Sequence, residues 1–332
     1  MSKLRAGVIG VGTFGAMHAR IYAENDFCEL VATADIRSER LNEMENAYKC
    51  KGYSDFRDML KMEKLDLVSI CTSDELHVEP ALSAIRSNVN VLVEKPLAIN
   101  VADCDTIVNE SQKYGVKLMV GHLLRFDPRY YTARQAIING QIGTPIHLYA
   151  RRNNLKSSAD RLAKHTSVAF FLGIHDIDFM NWCINSKVER VYAESVSRVL
   201  TDIGTADTCM ALIKYQDGTV ASLEVSWVLP SSFFKRLDAQ FEAVGTEGAV
   251  YIDGSGDCVE IFGVQANPVP DVMYSPEIYG NYAGILVDEI SHFVDCVKYD
   301  RTPVVSGQDG KSAVEVACAI MESLKKQDVV YL

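Results

Sequence analysis

Residues 4–15 read Leu4-Arg5-Ala6-Gly7-Val8-Ile9-Gly10-Val11-Gly12-Thr13-Phe14-Gly15. A short apolar run ends on G-x-G-x-x-G, and helical spacing follows through Ala16, Ala19, Ile21 and Tyr22. A second run, Leu30-Val31-Ala32-Thr33-Ala34, closes on Asp35. Strand, glycine turn, helix and strand make the opening of a βαβ unit. Gly10 permits the tight turn, Gly12 lets the backbone approach a pyrophosphate, and Gly15 permits close helix–strand packing. The helix that opens at Thr13 and Phe14 offers free N–H groups and the positive end of its dipole to phosphate. Asp35 lies 20 residues past Gly15, where a carboxylate meets a ribose 2′-OH. The bland alternative is a glycine-rich structural turn. The carboxylate favours NAD because it repels a 2′-phosphate, while Arg37 and Arg40 just beyond it leave NADP open.

Outward from this unit the alternation continues. Leu65–Cys71 reads as a buried strand, with Thr72, Ser73 and His77 at its carboxyl end. Thr72 and Ser73 offer hydroxyls along a cofactor path; His77 either touches ribose or nicotinamide or caps packing at a helix start. Val89–Val93 reads as the next strand and delivers Glu94-Lys95-Pro96. Proline stops the ladder, so Glu94 and Lys95 stand at a strand end, the edge where open α/β sheets bind ligands. A lysine there is a candidate acid/base; a plain Glu–Lys pair closing a strand is the alternative. Val116–Val120 adds another strand, followed by Gly121, His122, Arg125, Asp127 and Pro128. Strands and helices at this spacing imply an amino-terminal doubly wound parallel sheet.

The chain has 332 residues, enough for two domains, and a division after residue 125 is expected, giving 1–125 and 126–332. The net charge of −11 argues against general nucleic-acid binding, and no run is apolar enough for a transmembrane helix. Nine scattered cysteines without a C-x-x-C pair, and a start without a secretory signal, point to reduced thiols and a cytoplasmic location. No H-E-x-x-H or compact Cys/His cluster proposes a metal site.

In the second half, Ile146–Arg152 reads as a strand, and polar, basic residues 155–166 read as a loop over a cleft. Arg151, Arg152 and Arg161 are candidates for an anionic ligand, with a solvated charged face as the alternative. Gly173–Cys183 reads as a helix carrying His175, Asp176 and Asp178 near its start. Alternating segments then run from Val188 to Phe262, separated by Asp217-Gly218, Gly245–Gly248 and Asp253-Gly254. They imply a carboxyl-terminal α+β domain with a large, mainly antiparallel open sheet. One face of such a sheet is free for a second copy, so a homodimer or homotetramer through that sheet is expected. Residues 264–282 read as a loop whose Tyr279 is a candidate to stack on a sugar ring. Helices are expected at Ile285–Lys298 and Ser312–Gln327.

Together these motifs resemble the Gfo/Idh/MocA oxidoreductases. The resemblance rests on the Gly10/Gly12/Gly15 loop, Glu94-Lys95-Pro96, Gly121-His122 with Arg125–Pro128, Gly173–Asp178 and Glu289–Cys296, and it spans essentially the whole chain. It implies a Rossmann domain, a bound nicotinamide cofactor, and a sugar, cyclitol or related polyol oxidised at a secondary alcohol. Lys95 and His175 resemble the family's catalytic lysine and histidine. His175 is then expected to accept the alcohol proton while Lys95 holds the same oxygen. Glu94 is expected beside the cofactor, and Arg125, Arg152, Asp176 and Tyr279 near substrate. One position departs: many family dehydrogenases carry Asp four residues before the histidine, and here it is Phe171. Asp176, Asp178 or His165 then takes over, or the proton relay differs. Two alternatives stay open: redox-assisted elimination or epimerisation with a tightly held cofactor, and a nucleotide-sensing regulator without chemistry.

Overall fold

The computed structural model describes residues 3–233, 235, 237–255, 259, 261 and 270–332. From the amino terminus the chain alternates β1 (Leu4–Ile9), α1 (Thr13–Glu24), β2 (Cys28–Ala34), α2 (Ser38–Tyr48), β3 (Lys51–Tyr53), α3 (Phe56–Met62), β4 (Leu67–Ile70), α4 (Val78–Arg86), β5 (Asn90–Glu94), α5 (Val101–Tyr114) and β6 (Leu118–Gly121). The six strands are all parallel, in the order β3-β2-β1-β4-β5-β6. This is the doubly wound order that reverses between β1 and β4, which makes that crevice the ligand edge. Leu67, Val68, Ile70, Val91, Leu92 and Val93 are fully buried. Strands covered on both faces need such unbroken apolar runs, which is why these segments were readable. Asp55 caps α3 by accepting the Arg57 N–H at 2.8 Å.

The chain continues through α6 (Pro128–Ile138), β7 (Pro145–Leu155), α7 (Lys156–Leu162), a π-helical turn (Ala169–Gly173), α8 (Ile174–Cys183), β8 (Val188–Val196), β9 (Thr208–Tyr215), β10 (Val220–Leu229), β11 (Asp238–Gly245) and β12 (Ala249–Asp253). It closes with β13 (Glu277–Ile278), β14 (Asn281–Tyr282), α9 (Ile285–Lys298), α10 (Gly307–Lys326) and β15 (Val330–Tyr331). The second sheet runs β12-β11-β7-β10-β9-β8-β15; only β7 and β10 pair in parallel. Ala211, Ile213, Leu223, Val225 and Phe241 bury one face. Met210, Leu212, Val220 and Tyr251 point the other way and are exposed. No helix among the described residues is long and apolar enough to cross a membrane.

Three expectations change. The chain forms two compact units, but the first combines the residues up to His122 with Ser275–Lys311, and the second combines Leu123–Tyr274 with the residues from Ser312. Residues 275–311 therefore leave the 126–332 half. The cause is packing: α9 buries Ile285, Leu286, Ile290, Phe293 and Val294, and Arg20–Glu277 (3.1 Å), Lys117–Asp300 (2.7 Å) and Lys311–Asp105 (2.6 Å) tie the segment to the parallel-sheet unit. Residues 156–162, expected as a loop, form α7, and within residues 264–282 β13 and β14 form a hairpin. Residues 262–269 of the expected last strand and loop lie outside the described residues.

Candidate functional site

In the first unit the candidate residues gather at the carboxyl ends of β1, β2, β4 and β5. Gly10 turns the chain at φ +83°, and a Cβ on Gly15 would run into the Gly10 carbonyl oxygen. The space before Gly12 is open; a Cβ there would meet only Arg37 Nη2, at 3.8 Å. Gly12 caps α1 without a side-chain bond, so the N–H groups at Thr13 and Phe14 are left for an anion. Asp35 Oδ2 accepts the Val11 N–H at 2.9 Å and Oδ1 accepts the Arg37 N–H at 2.9 Å. Burial pushes the Asp35 carboxyl up, but the Arg37 guanidinium and these two N–H groups outweigh it, and the carboxyl lies below its usual range. Arg37 folds onto Asp35 at 3.1 Å, and Arg40 donates to the carbonyls of Val11 (2.9 Å) and Gly12 (3.2 Å). Both arginines are thereby drawn into the framework of the loop.

Thr72, two residues past the end of β4, has a buried hydroxyl with no hydrogen-bond partner among the described residues. Ser73 starts a 3₁₀ turn through its carbonyl, which accepts from Leu76 N–H at 2.7 Å. His77 is buried; its ring nitrogens face the carbonyl oxygens of Pro96 (2.7 Å) and Thr72 (3.1 Å). It thus ties the end of β4 to the cis Lys95–Pro96 peptide. The open glycine loop, the uncapped helix end, the carboxylate on β2 and the orphaned Thr72 hydroxyl fit a dinucleotide.

Glu94 is buried, and its Oε1 lies 3.0 Å from His18 Nε2. His18 Nδ1 lies 3.0 Å from Ser69 Oγ, and the Tyr22 hydroxyl lies 2.7 Å from the same oxygen. Burial alone pushes the Glu94 carboxyl up; the His18 hydrogen bond, with Lys95 and His77 nearby, outweighs it and holds the carboxyl below its usual range. Glu94, expected at the cofactor, is thus engaged inward. Sequence reasoning missed His18. Its signal is that it is the one polar residue among those α1 buries with Gly15, Ala19, Ile21 and Tyr22, apart from the hydroxyl of Tyr22 itself. Tyr279, a sugar-stacking candidate, sits at the tip of the β13–β14 hairpin at φ +52°, fully exposed.

In the second unit a π-helical turn feeds α8, and His175 stands in the first turn of that helix, half-buried. On either side its helix is fastened. Arg152 reaches Asp176 with two bonds of 2.6 and 2.9 Å, and Arg125 reaches Asp178 with two of 2.9 and 2.6 Å. All four side chains are buried. Burial pushes the Asp176 carboxyl up, against the pull of Arg152. Arg151 pairs with Asp238 at 3.0 Å. Arg125, Arg152 and Asp176, candidates for substrate contact, are therefore bound into buried pairs, and Arg151 into a half-exposed one. The pairing of Asp176 and Asp178 also takes up the two acids expected to replace the missing one. At that position Phe171 packs against Trp227, ring centroids 6.2 Å apart.

The known proteins that match this chain agree with its sheets and its loop. Residues 4–122 match the family model described as oxidoreductase family, NAD-binding Rossmann fold, and residues 130–251 match that of the GFO/IDH/MocA C-terminal domain. Myo-inositol 2-dehydrogenase of Thermotoga maritima is 28% identical over 99% of this chain and 98% of its own. The scyllo-inositol 2-dehydrogenase (NAD(+)) of Bacillus subtilis is 25% identical over 97% and 94%. The crystal structure of scyllo-inositol dehydrogenase from Lactobacillus casei, with NAD(H) and scyllo-inositol bound, shares the fold at a TM-score of 0.87. It is 21% identical and covers 99% of both chains. With both sheets matched and the glycine loop built for a dinucleotide, the chain belongs to the GFO/IDH/MocA family and is an NAD-dependent dehydrogenase.

Proposed function

We propose that the protein oxidises a secondary alcohol of a cyclitol, an inositol or a close polyol relative, with NAD as hydride acceptor. The observation that carries this reading is Lys95. It follows the last residue of β5 on the same strand edge as the glycine loop and the Thr72 hydroxyl. The full-length inositol dehydrogenase relatives support the substrate class. NAD, when bound, accepts hydride from the alcohol carbon. Gly10, Gly12 and Gly15 give its pyrophosphate backbone contact, and Asp35 takes the adenosine ribose hydroxyls. Lys95 holds the alcohol oxygen and stabilises the charge that develops there. His175, from the Gly173–Asp178 segment, is our assignment for the group that accepts the proton.

The test is a panel of myo- and scyllo-inositol, neutral sugars, uronates and nucleotide sugars, each with NAD and with NADP, followed by nicotinamide reduction. Turnover is expected with inositols and NAD. Lys95→Ala is expected to lower kcat by about 10²–10⁴-fold on that substrate, and His175→Ala to lower it within the same range. Near wild-type turnover by Lys95→Ala, or reduction with sugars alone, would sink the reading.

A further inference from the structure

A dehydrogenase lysine must be held as well as present, and the first unit contains a buried chain of hydrogen bonds that ends beside Lys95. Ser69 pairs in register with Leu92 on β5, so Ser69 and Glu94, two residues past Leu92, share one face of the sheet. His18 and Tyr22 are four residues apart and share the face of α1 that meets it. The fourth neighbour is Gly121, opposite Glu94 on β6; a Cβ there would stand 3.0 Å from the Glu94 carboxylate. Gly121 thus leaves the room that the carboxylate fills.

The donors along this chain run one way. An ionised carboxylate only accepts, so His18 Nε2–H donates to Glu94. With a neutral ring, Nδ1 then accepts from the Ser69 hydroxyl, and the Ser69 oxygen accepts from the Tyr22 hydroxyl. Burial pushes the Tyr22 hydroxyl well up, which keeps it a donor. Every hydroxyl, ring nitrogen and carboxylate contact between Tyr22 and Glu94 is then satisfied. The other carboxylate oxygen lies 3.3 Å from the backbone nitrogen of Lys95.

We propose that His18 is a positioning residue for Lys95. Backed by Ser69 and Tyr22, it fixes the Glu94 carboxylate, and through it the strand end from which the lysine projects. His18 touches neither cofactor nor substrate in this assignment. Without its N–H, a buried carboxylate is left short of a donor and must turn or take up a proton. Either response alters the anionic neighbour and the backbone that set the lysine amine. The glycine loop and Asp35 make none of these bonds, so NAD binding is separable from the defect.

The inference rests on Lys95 acting in the reaction, and two readouts keep the claims apart. The first is carbon NMR of reductively methylated protein, with the Lys95 resonance assigned by its loss in Lys95→Arg; it needs no substrate. That resonance is expected to move in His18→Leu and Ser69→Ala. It is expected to return towards wild type in His18→Gln, whose amide can still donate to Glu94. The second is kinetic. His18→Leu is expected to lower kcat about 10- to 100-fold while the NAD dissociation constant stays within about threefold, with His18→Gln restoring most of the loss. Ser69→Ala, a smaller change to the packing, is expected to show the same split more weakly. An unmoved Lys95 resonance in both His18→Leu and Ser69→Ala would overturn the proposal. So would equal losses for Gln and Leu at position 18, or an activity loss that tracks NAD affinity. A moved resonance together with an active Lys95→Ala enzyme would instead overturn the catalytic role of the lysine and leave the hydrogen-bonded chain standing.

Discussion

Asp35 shows how much one side chain settles. Its carboxylate is held by the Val11 N–H and by Arg37, and it stands at the end of β2 beside the glycine loop. A fixed carboxylate there repels a 2′-phosphate and accepts from a 2′-OH. Arg37 is neutralised by it and does not present a free cation. Asp35→Ala is expected to weaken NAD binding about tenfold or more, the order of a lost charge-assisted hydrogen bond. It should also strengthen NADP binding, because Arg37 is released to face the phosphate. Titration of both cofactors by fluorescence measures the change. Unaltered selectivity in the variant would show that Arg37 or Arg40 already reaches the cofactor. His77 makes the complementary point. Its residue type suggested ligand contact, yet both ring nitrogens lie against backbone carbonyl oxygens, of Pro96 and Thr72.

At the scale of elements, α8 carries the clearest consequence. Its first turns half-bury an imidazole and fully bury two carboxylates, each answered by a bidentate arginine: Arg152 from β7, and Arg125 from the short 3₁₀ turn Leu123–Phe126. Such pairs add little net stability over apolar packing, but breaking one leaves an uncompensated buried charge. Arg152→Met alone is expected to cost about 3–5 kcal/mol in urea denaturation, whereas Arg152→Met with Asp176→Leu should recover most of that. Equal destabilisation by the single and double variants would contradict this. The spacing that put Asp176 and Asp178 beside His175 was legible in the sequence. Their partners were not, because Arg125 and Arg152 lie 53 and 24 residues away and are brought in only by the packing of α8 on its unit.

On the scale of the whole molecule, the second sheet has one covered and one bare face. Register places Met210 and Leu212 of β9, Val220 of β10, Tyr149 of β7 and Tyr251 of β12 on the bare side. Four of them, all but the hydrogen-bonded Tyr149, are more than a third exposed. Apolar side chains gathered on one flat face mark an interaction surface, and a second copy of the chain is the occupant we expect. Met210→Glu with Leu212→Glu is expected to lower the mass measured by light scattering towards that of one chain, 36.8 kDa. An unchanged mass would place any self-association elsewhere.

Local rules were enough for five of the six parallel strands. Doubly buried strands are continuous apolar runs, and the glycine loop has one geometry, so β1, β2, β4, β5 and β6 and the residues at their carboxyl ends follow from the order of amino acids; the three-residue edge strand β3, Lys51-Gly52-Tyr53, carries no such run. The alternating strands of the second sheet and the span of α9 were likewise legible, because periodicity is a local property. Tertiary packing alone decided the rest. It returned residues 275–311 to the first unit, because the apolar face of α9 and its flanking charges find their partners there. It turned Glu94 inward onto His18, 76 positions away in sequence, where no spacing rule could pair them. Glu94-Lys95-Pro96 could be recognised from its residues, but the burial that separates the inward glutamate from the lysine arises only when α1 closes over β4 and β5.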